Sequence, residues 1–209
     1  MKIVVVTDDR LKKELLAQGL SDAAHIEWTQ DINTISRDAQ VYIDLLFESD
    51  RNNRGEILSQ VPADIIIVND IIDTTESLPA HLVRINGWPT FLKRSITEAS
   101  CNNDLIKEKA EKIFSFFHKK MEWTIDIPGF ITPRVLSTIV NEAFFSLQDN
   151  VSSREEIDTA MKMGTNYPYG PFEWSNLIGA NKIYALLSAL SKKDARYMPC
   201  DLLKKESTL

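Results

Sequence analysis

The sequence predicts an α/β plus all-α protein: a reduced parallel sheet domain crossed by helices, followed by a helical domain. Three observations carry this. Short β-rich runs alternate with polar helical stretches up to Ile125, as a parallel sheet with crossover helices requires. The texture changes at Asp126-Ile127-Pro128-Gly129, which places the domain boundary there, giving domains 1-125 and 126-209. Beyond it, Val135, Leu136, Ile139, Val140, Ala143, Phe144 and Leu147 make an apolar stripe so wide that it needs a partner helix.

In chain order, Lys2 to Val6, His25 to Trp28, Val41 to Phe47, Asp64 to Val68 and Leu82 to Asn86 read as strands. Leu11, Leu15 and Leu16 before Gly19 form a short crossover helix, and Arg51 to Gln60 a second one. Phe91 to Ile96 is expected as a strand. Asn103 or Asp104 caps a helix whose Leu105, Ile106, Ala110, Ile113, Phe114 and Phe117 recur at three and four residues, and Met121 to Ile125 is the last strand. In the second domain Pro133 opens a helix at its first turn, and Ser153 with Glu156 forms a capping box. That helix is expected to end at Gly164. A turn segment from Thr165 to Pro171 precedes a final helix from about Asn181 to Leu190.

Composition narrows the function classes. The 209 residues are 44% hydrophobic and 26% charged, enough to bury a core in one large or two small domains. There are 15 basic against 20 acidic residues up to Ile125 and 9 against 10 beyond it. Phosphate backbones need clustered positive charge, so nucleic acid is not an expected partner. The longest apolar runs, Ile3 to Val6 and Ile65 to Val68, are strand-sized and cannot span a membrane. A strand beginning at Lys2 leaves no room for a secretory signal, so a cytoplasmic address is expected. Cys101 and Cys200 make no disulfide framework, and His25, His81 and His118 have no second ligand at helical spacing, so no metal is expected.

Three linked strings are more specific. They are Asp126-Ile-Pro-Gly-Phe130-Ile-Thr-Pro-Arg134, then Asn141-Glu142-Ala143, then Glu156-Ile-Asp158 leading to Met163-Gly164-Thr-Asn166-Tyr-Pro168-Tyr-Gly170-Pro171-Phe172-Glu173. In this order and spacing they resemble the C-terminal domain of the 3-hydroxyacyl-CoA dehydrogenase family, as do Arg196-Tyr-Met-Pro199 and Leu202-Leu-Lys-Lys205. The resemblance implies a helical domain that makes most of a homodimer contact and closes over the acyl chain of an acyl-CoA-like ligand, behind a Rossmann-like domain that binds NAD. It reaches the first half faintly, through Ala39 to Glu48 and Ile66-Ile67-Val68-Asn69. By that likeness Asp44 lies near the nicotinamide end of the cofactor. Arg84-Ile-Asn86-Gly-Trp88-Pro89 falls where the family has a His-x-x-Asn-Pro segment, making Asn86 and Arg84 candidate substrate contacts.

Hydride transfer from a 3-hydroxyl needs a base for the alcohol proton and a dinucleotide held at a glycine-rich helix N-terminus. The loop that should read G-x-G-x-x-G is Thr7-Asp8-Asp9-Arg10, and no glycine precedes Gly19. Two carboxylates repel an anion there. The connection before Val41 is too short for the family's helical excursion beside CoA. Counting back from Asn86, the family's catalytic His falls on Val83; His81 and Glu98 are the nearest replacement candidates. Ile71 stands where the family has a Ser, and Pro133 where it has an Asn. These departures predict a divergent member without the family's oxidation, free to retain ligand binding. The alternatives are an active oxidoreductase of fatty-acid metabolism with a relocated base, and a dimeric interaction module using Trp88.

Overall fold

Seven strands among the described residues form one sheet in the order β2-β1-β3-β4-β5-β6-β7: β1 (Lys2–Val6), β2 (His25–Thr29), β3 (Val41–Asp44), β4 (Ile65–Asn69), β5 (Leu82–Ile85), β6 (Ile96–Ser100) and β7 (Lys120–Trp123). The computed structural model describes residues 1–22, 24–74 and 81–208. Neighbouring strands run parallel except β5 and β6, which are antiparallel. The central strands are apolar at nearly every position because both faces are covered. Ile3, Val5, Ile43, Ile67, Val83 and Ile85 alternate onto one face. There they pack with Leu11 and Leu15 of α1 (Asp9–Leu15) and with Ile106, Ala110, Ile113 and Phe114 of α3 (Asp104–Ser115). Val4, Val6, Tyr42, Ile66, Val68 and Leu82 face the other way, against Leu58 of α2 (Arg51–Ser59) and against Phe47, which precedes that helix.

The expected strand at Phe91 to Ile96 is corrected: turns fill that stretch, and β6 begins where it was expected to end. Thr90 bends the chain at φ 77, and its N–H donates to both carboxylate oxygens of Glu14 on α1, at 2.8 and 2.7 Å. A partner far along the chain therefore overrides local β-propensity. The strand expected from Val41 to Phe47 likewise stops at Asp44, because Phe47–Ser49 winds into a 3-10 turn.

The chain divides into two units, Met1–Phe130 and Ile131–Leu209. The change of texture at Asp126 precedes this division because Asp126 and Gly129 bond back to the sheet unit. The second unit is made of α4 (Thr132–Gln148), α5 (Arg154–Thr165), α6 (Pro171–Ile178), α7 (Ala180–Ser191) and α8 (Asp201–Glu206). Pro133 lies in the first turn of α4, and Ser153 with Glu156 caps α5. Gly164 does not end α5. The helix runs through it and closes at Asn166, whose φ of 55 is a left-handed angle that asparagine tolerates. Gly170 is required by space: a Cβ there would collide with the Asp158 carboxylate. That carboxylate accepts the N–H groups of Phe172 and Glu173 at 2.8 and 3.1 Å, capping α6 from α5. Phe144 and Phe172 meet edge to face in the buried centre of the bundle. No described helix is long and apolar enough to cross a membrane.

Candidate functional site: the carboxyl edge of the sheet

In an open parallel sheet, ligands bind beyond the carboxyl ends of the strands. Here that edge carries Asp8 after β1, Asp44 ending β3, Asn69 and Asp70 at β4, and Asn86 after β5. Alternation puts Asp44 on the Tyr42 face and Arg84 on the Leu82 face, so both continue one apolar face of the sheet toward this edge. A charge in such a place must be paired.

Each of these polar groups is engaged by the chain itself. Asp44 is fully buried, and both of its oxygens accept from Arg54 Nη1 on α2, at 2.8 and 2.9 Å. Burial pushes its carboxyl above the usual range, and Arg54 pulls it back. Asp70 is also raised by burial and opposed by Arg51, whose Nη2 lies 2.9 Å from Oδ2. Asn69 donates to Leu45 O at 3.2 Å and accepts the Gly87 N–H at 2.9 Å, an approach so close that a Cβ at Gly87 would strike Asn69.

The fully buried Arg84 donates through Nε to Asp70 O at 3.1 Å and through Nη2 to Ile71 O at 3.2 Å, and its Nη1 pairs with Asp126. Arg84 is thus a paired internal arginine. Asn86 donates to Glu98 Oε2 at 2.9 Å and accepts the Trp88 N–H at 3.2 Å. Glu98, a replacement candidate, is therefore a half-buried strand residue facing Asn86. His81 sits just before β5, at the opposite end of the parallel strands from Asn86. Val83 points into the core on the α1 and α3 side. Trp88 is wholly buried, which removes the exposed aromatic that an interaction module would use.

The dinucleotide requirement is tested at α1. The Asp8 carboxylate accepts the Leu11 N–H at 2.7 Å, capping the helix from within. That is the group a pyrophosphate would need, and Asp9 adds a second negative charge in the same turn. The residues present do not fit NAD in this loop. Among the described residues, no group of three His, Cys, Asp or Glu side chains could hold a metal ion, and both cysteines are buried and free.

Residues 129–207 match the family described as 3-hydroxyacyl-CoA dehydrogenase, C-terminal domain. Residues 129–207 thus carry a domain of that family. The chain is similar to the 3-hydroxyadipyl-CoA dehydrogenase of Escherichia coli (strain K12), 38% identical over 151 residues that make up 70% of this chain and 32% of that protein. That match is longer than the helical unit, so it extends into the sheet unit. A 3-hydroxybutyryl-CoA dehydrogenase of Bradyrhizobium diazoefficiens is 33% identical over 58% of this chain and 42% of its own length. The chain thus spans less than half of either relative. The crystal structure of (S)-3-hydroxybutyryl-CoA dehydrogenase from Ralstonia eutropha aligns with 98% of this chain and 92% of its own at a TM-score of 0.76 and 19% identity. It shares with this chain the fold of a Rossmann-like sheet domain followed by a helical domain.

Sequence reasoning missed the partners: Arg54, Arg51 and Asp70 carry no local mark, and Asp126 stands out only as part of the string at the domain boundary. A lone charge inside or next to an apolar run, as Asp44 and Arg84 are, was the available signal. Arg84 and Asp126 are 42 residues apart, and nothing local links them.

Proposed function

We propose that this protein is a member of the 3-hydroxyacyl-CoA dehydrogenase family that keeps the fold without the NAD-dependent oxidation of 3-hydroxyacyl-CoA. One observation carries the reading: the Asp8 carboxylate occupies the α1 N-terminus where a cofactor phosphate would dock. Val83, at the position the resemblance gives to the catalytic base, is a buried hydrocarbon, and His81 lies at the far end of its strand. A ligand remaining to such a protein is an acyl-CoA-like thioester, by resemblance. The helical unit supports a homodimer: Ile131 and Val135, one turn apart at the start of α4, are 56% and 53% exposed.

The competing reading, an active oxidoreductase with a relocated base, has one favourable feature in the Asn86–Glu98 hydrogen bond. Thermal unfolding with NAD, NADH, CoA and acetoacetyl-CoA separates the two, since a ligand that binds only the folded state raises the midpoint. We expect no saturable rise with either dinucleotide and no loss of NADH absorbance with acetoacetyl-CoA. A saturable rise with NADH together with turnover establishes the active reading.

A further inference from the structure

We propose that Arg84 is a clasp that holds the segment from Asp126 to Phe130, leading from β7 into α4, against the carboxyl edge of the sheet. One guanidinium gathers the partners. Nη1 pairs with Asp126, Nη2 and Nε hold the carbonyls of Ile71 and Asp70, and the Phe130 ring lies 4.9 Å from its carbon. Ser100, the cross-strand neighbour of Arg84 on β6, donates to the same Asp126 oxygen at 3.2 Å. The Gly129 N–H donates to Ile71 O at 2.7 Å, so the carbonyl that Arg84 holds also anchors the segment.

The backbone argues that the segment is held under load. Phe130 has a φ of 45 and Gly129 a φ of 91. A bulky residue in the left-handed region persists only where its surroundings over-determine it. Those surroundings are the Arg84 stack and the Gly129 bond. An arginine suits the task because its planar fork of five donors can hold a carboxylate and two carbonyls while its face takes an aromatic ring. Flanking Ile125 and Ile131 are 74% and 56% exposed, so the buried Gly129 and Phe130 and the half-buried residues before them lie between open ends.

Amide hydrogen exchange on the full chain tests the clasp in Arg84→Met, Asp126→Asn and Arg84→Lys. If it holds, the Gly129 amide exchanges about tenfold faster or more in the first two, while the Ile43 and Ile67 amides keep their protection, because the opening is local. Arg84→Lys, which keeps the charge but not the fork, falls between. Unchanged exchange at Gly129 in Asp126→Asn overturns the proposal. So does an equal acceleration at Gly129 and Ile67, which would make the pair an ordinary core contact. Asp126→Asn decides alone if Arg84→Met does not fold. None of these readouts depends on whether a dinucleotide binds.

Discussion

Lys119 shows what burial does to a single residue. It is 4% exposed, and its ammonium donates to the carbonyls of Leu92 and Arg94, the latter at 2.6 Å. Desolvation pushes its pKa down to about 8 from the ordinary 10.5, with Glu14 opposing. Between those two values the unfolded chain binds more protons at this site than the folded one, so the site's contribution to stability rises with pH across that window. Urea unfolding of the wild type and Lys119→Met at several pH values should show it: the wild type gains stability relative to the variant as pH goes from about 8 to 10.5. A constant difference would mean the ammonium is not perturbed. Asp44 and Asp70, raised by burial, show the same force acting on acids. A lone charge in an apolar run was legible in the sequence; the partner that neutralises it was not.

At the scale of elements, helix ends were the best-read features and turns the worst. Capping is local, set by a side chain and an N–H two or three residues on, so Ser153 and Pro133 could be placed directly and the cap of α3 narrowed to Asn103 or Asp104, of which the structure takes Asn103. Gly164 misled because a glycine after a periodic run is a usual stop, yet α5 runs on through Gly164 and Thr165 before Asn166 turns the chain. The helix has therefore kept an exposed glycine whose added Cβ would meet nothing within 4 Å. Gly164→Ala should stabilise the protein by roughly 0.5–1 kcal/mol, the usual penalty of glycine inside a helix. Gly170→Ala should do the opposite, because its Cβ has no room beside Asp158. Denaturation midpoints of the pair check both signs. The strand expected at Phe91 failed for a related reason. Its β-like composition was outweighed by the Glu14 carboxylate gripping Thr90 from 76 residues away.

For the whole molecule, the helical unit exposes Ile131 and Val135 at the start of α4, while Leu136, Val140 and Phe144 turn inward. An apolar start on an otherwise core-forming helix is the form of a surface that a second copy covers. Sedimentation should find a dimer, and Val135→Glu should shift it toward monomer without lowering helical content. A monomeric wild type would refute that assembly.

What the sequence by itself determined is the class of each half and the family of the second, because periodicity, caps and turn residues act between neighbours along the chain. It also determined that the loop at Thr7 to Arg10 carries carboxylates in place of glycines. Tertiary structure alone decided how the carboxyl edge is satisfied: Asp8 on its own helix, Asp44 with Arg54, Asp70 with Arg51, and Arg84 with Asp126. The reason is physical. A charge must be paired when it leaves water, but which partner reaches it depends on strands that meet only after the sheet has formed.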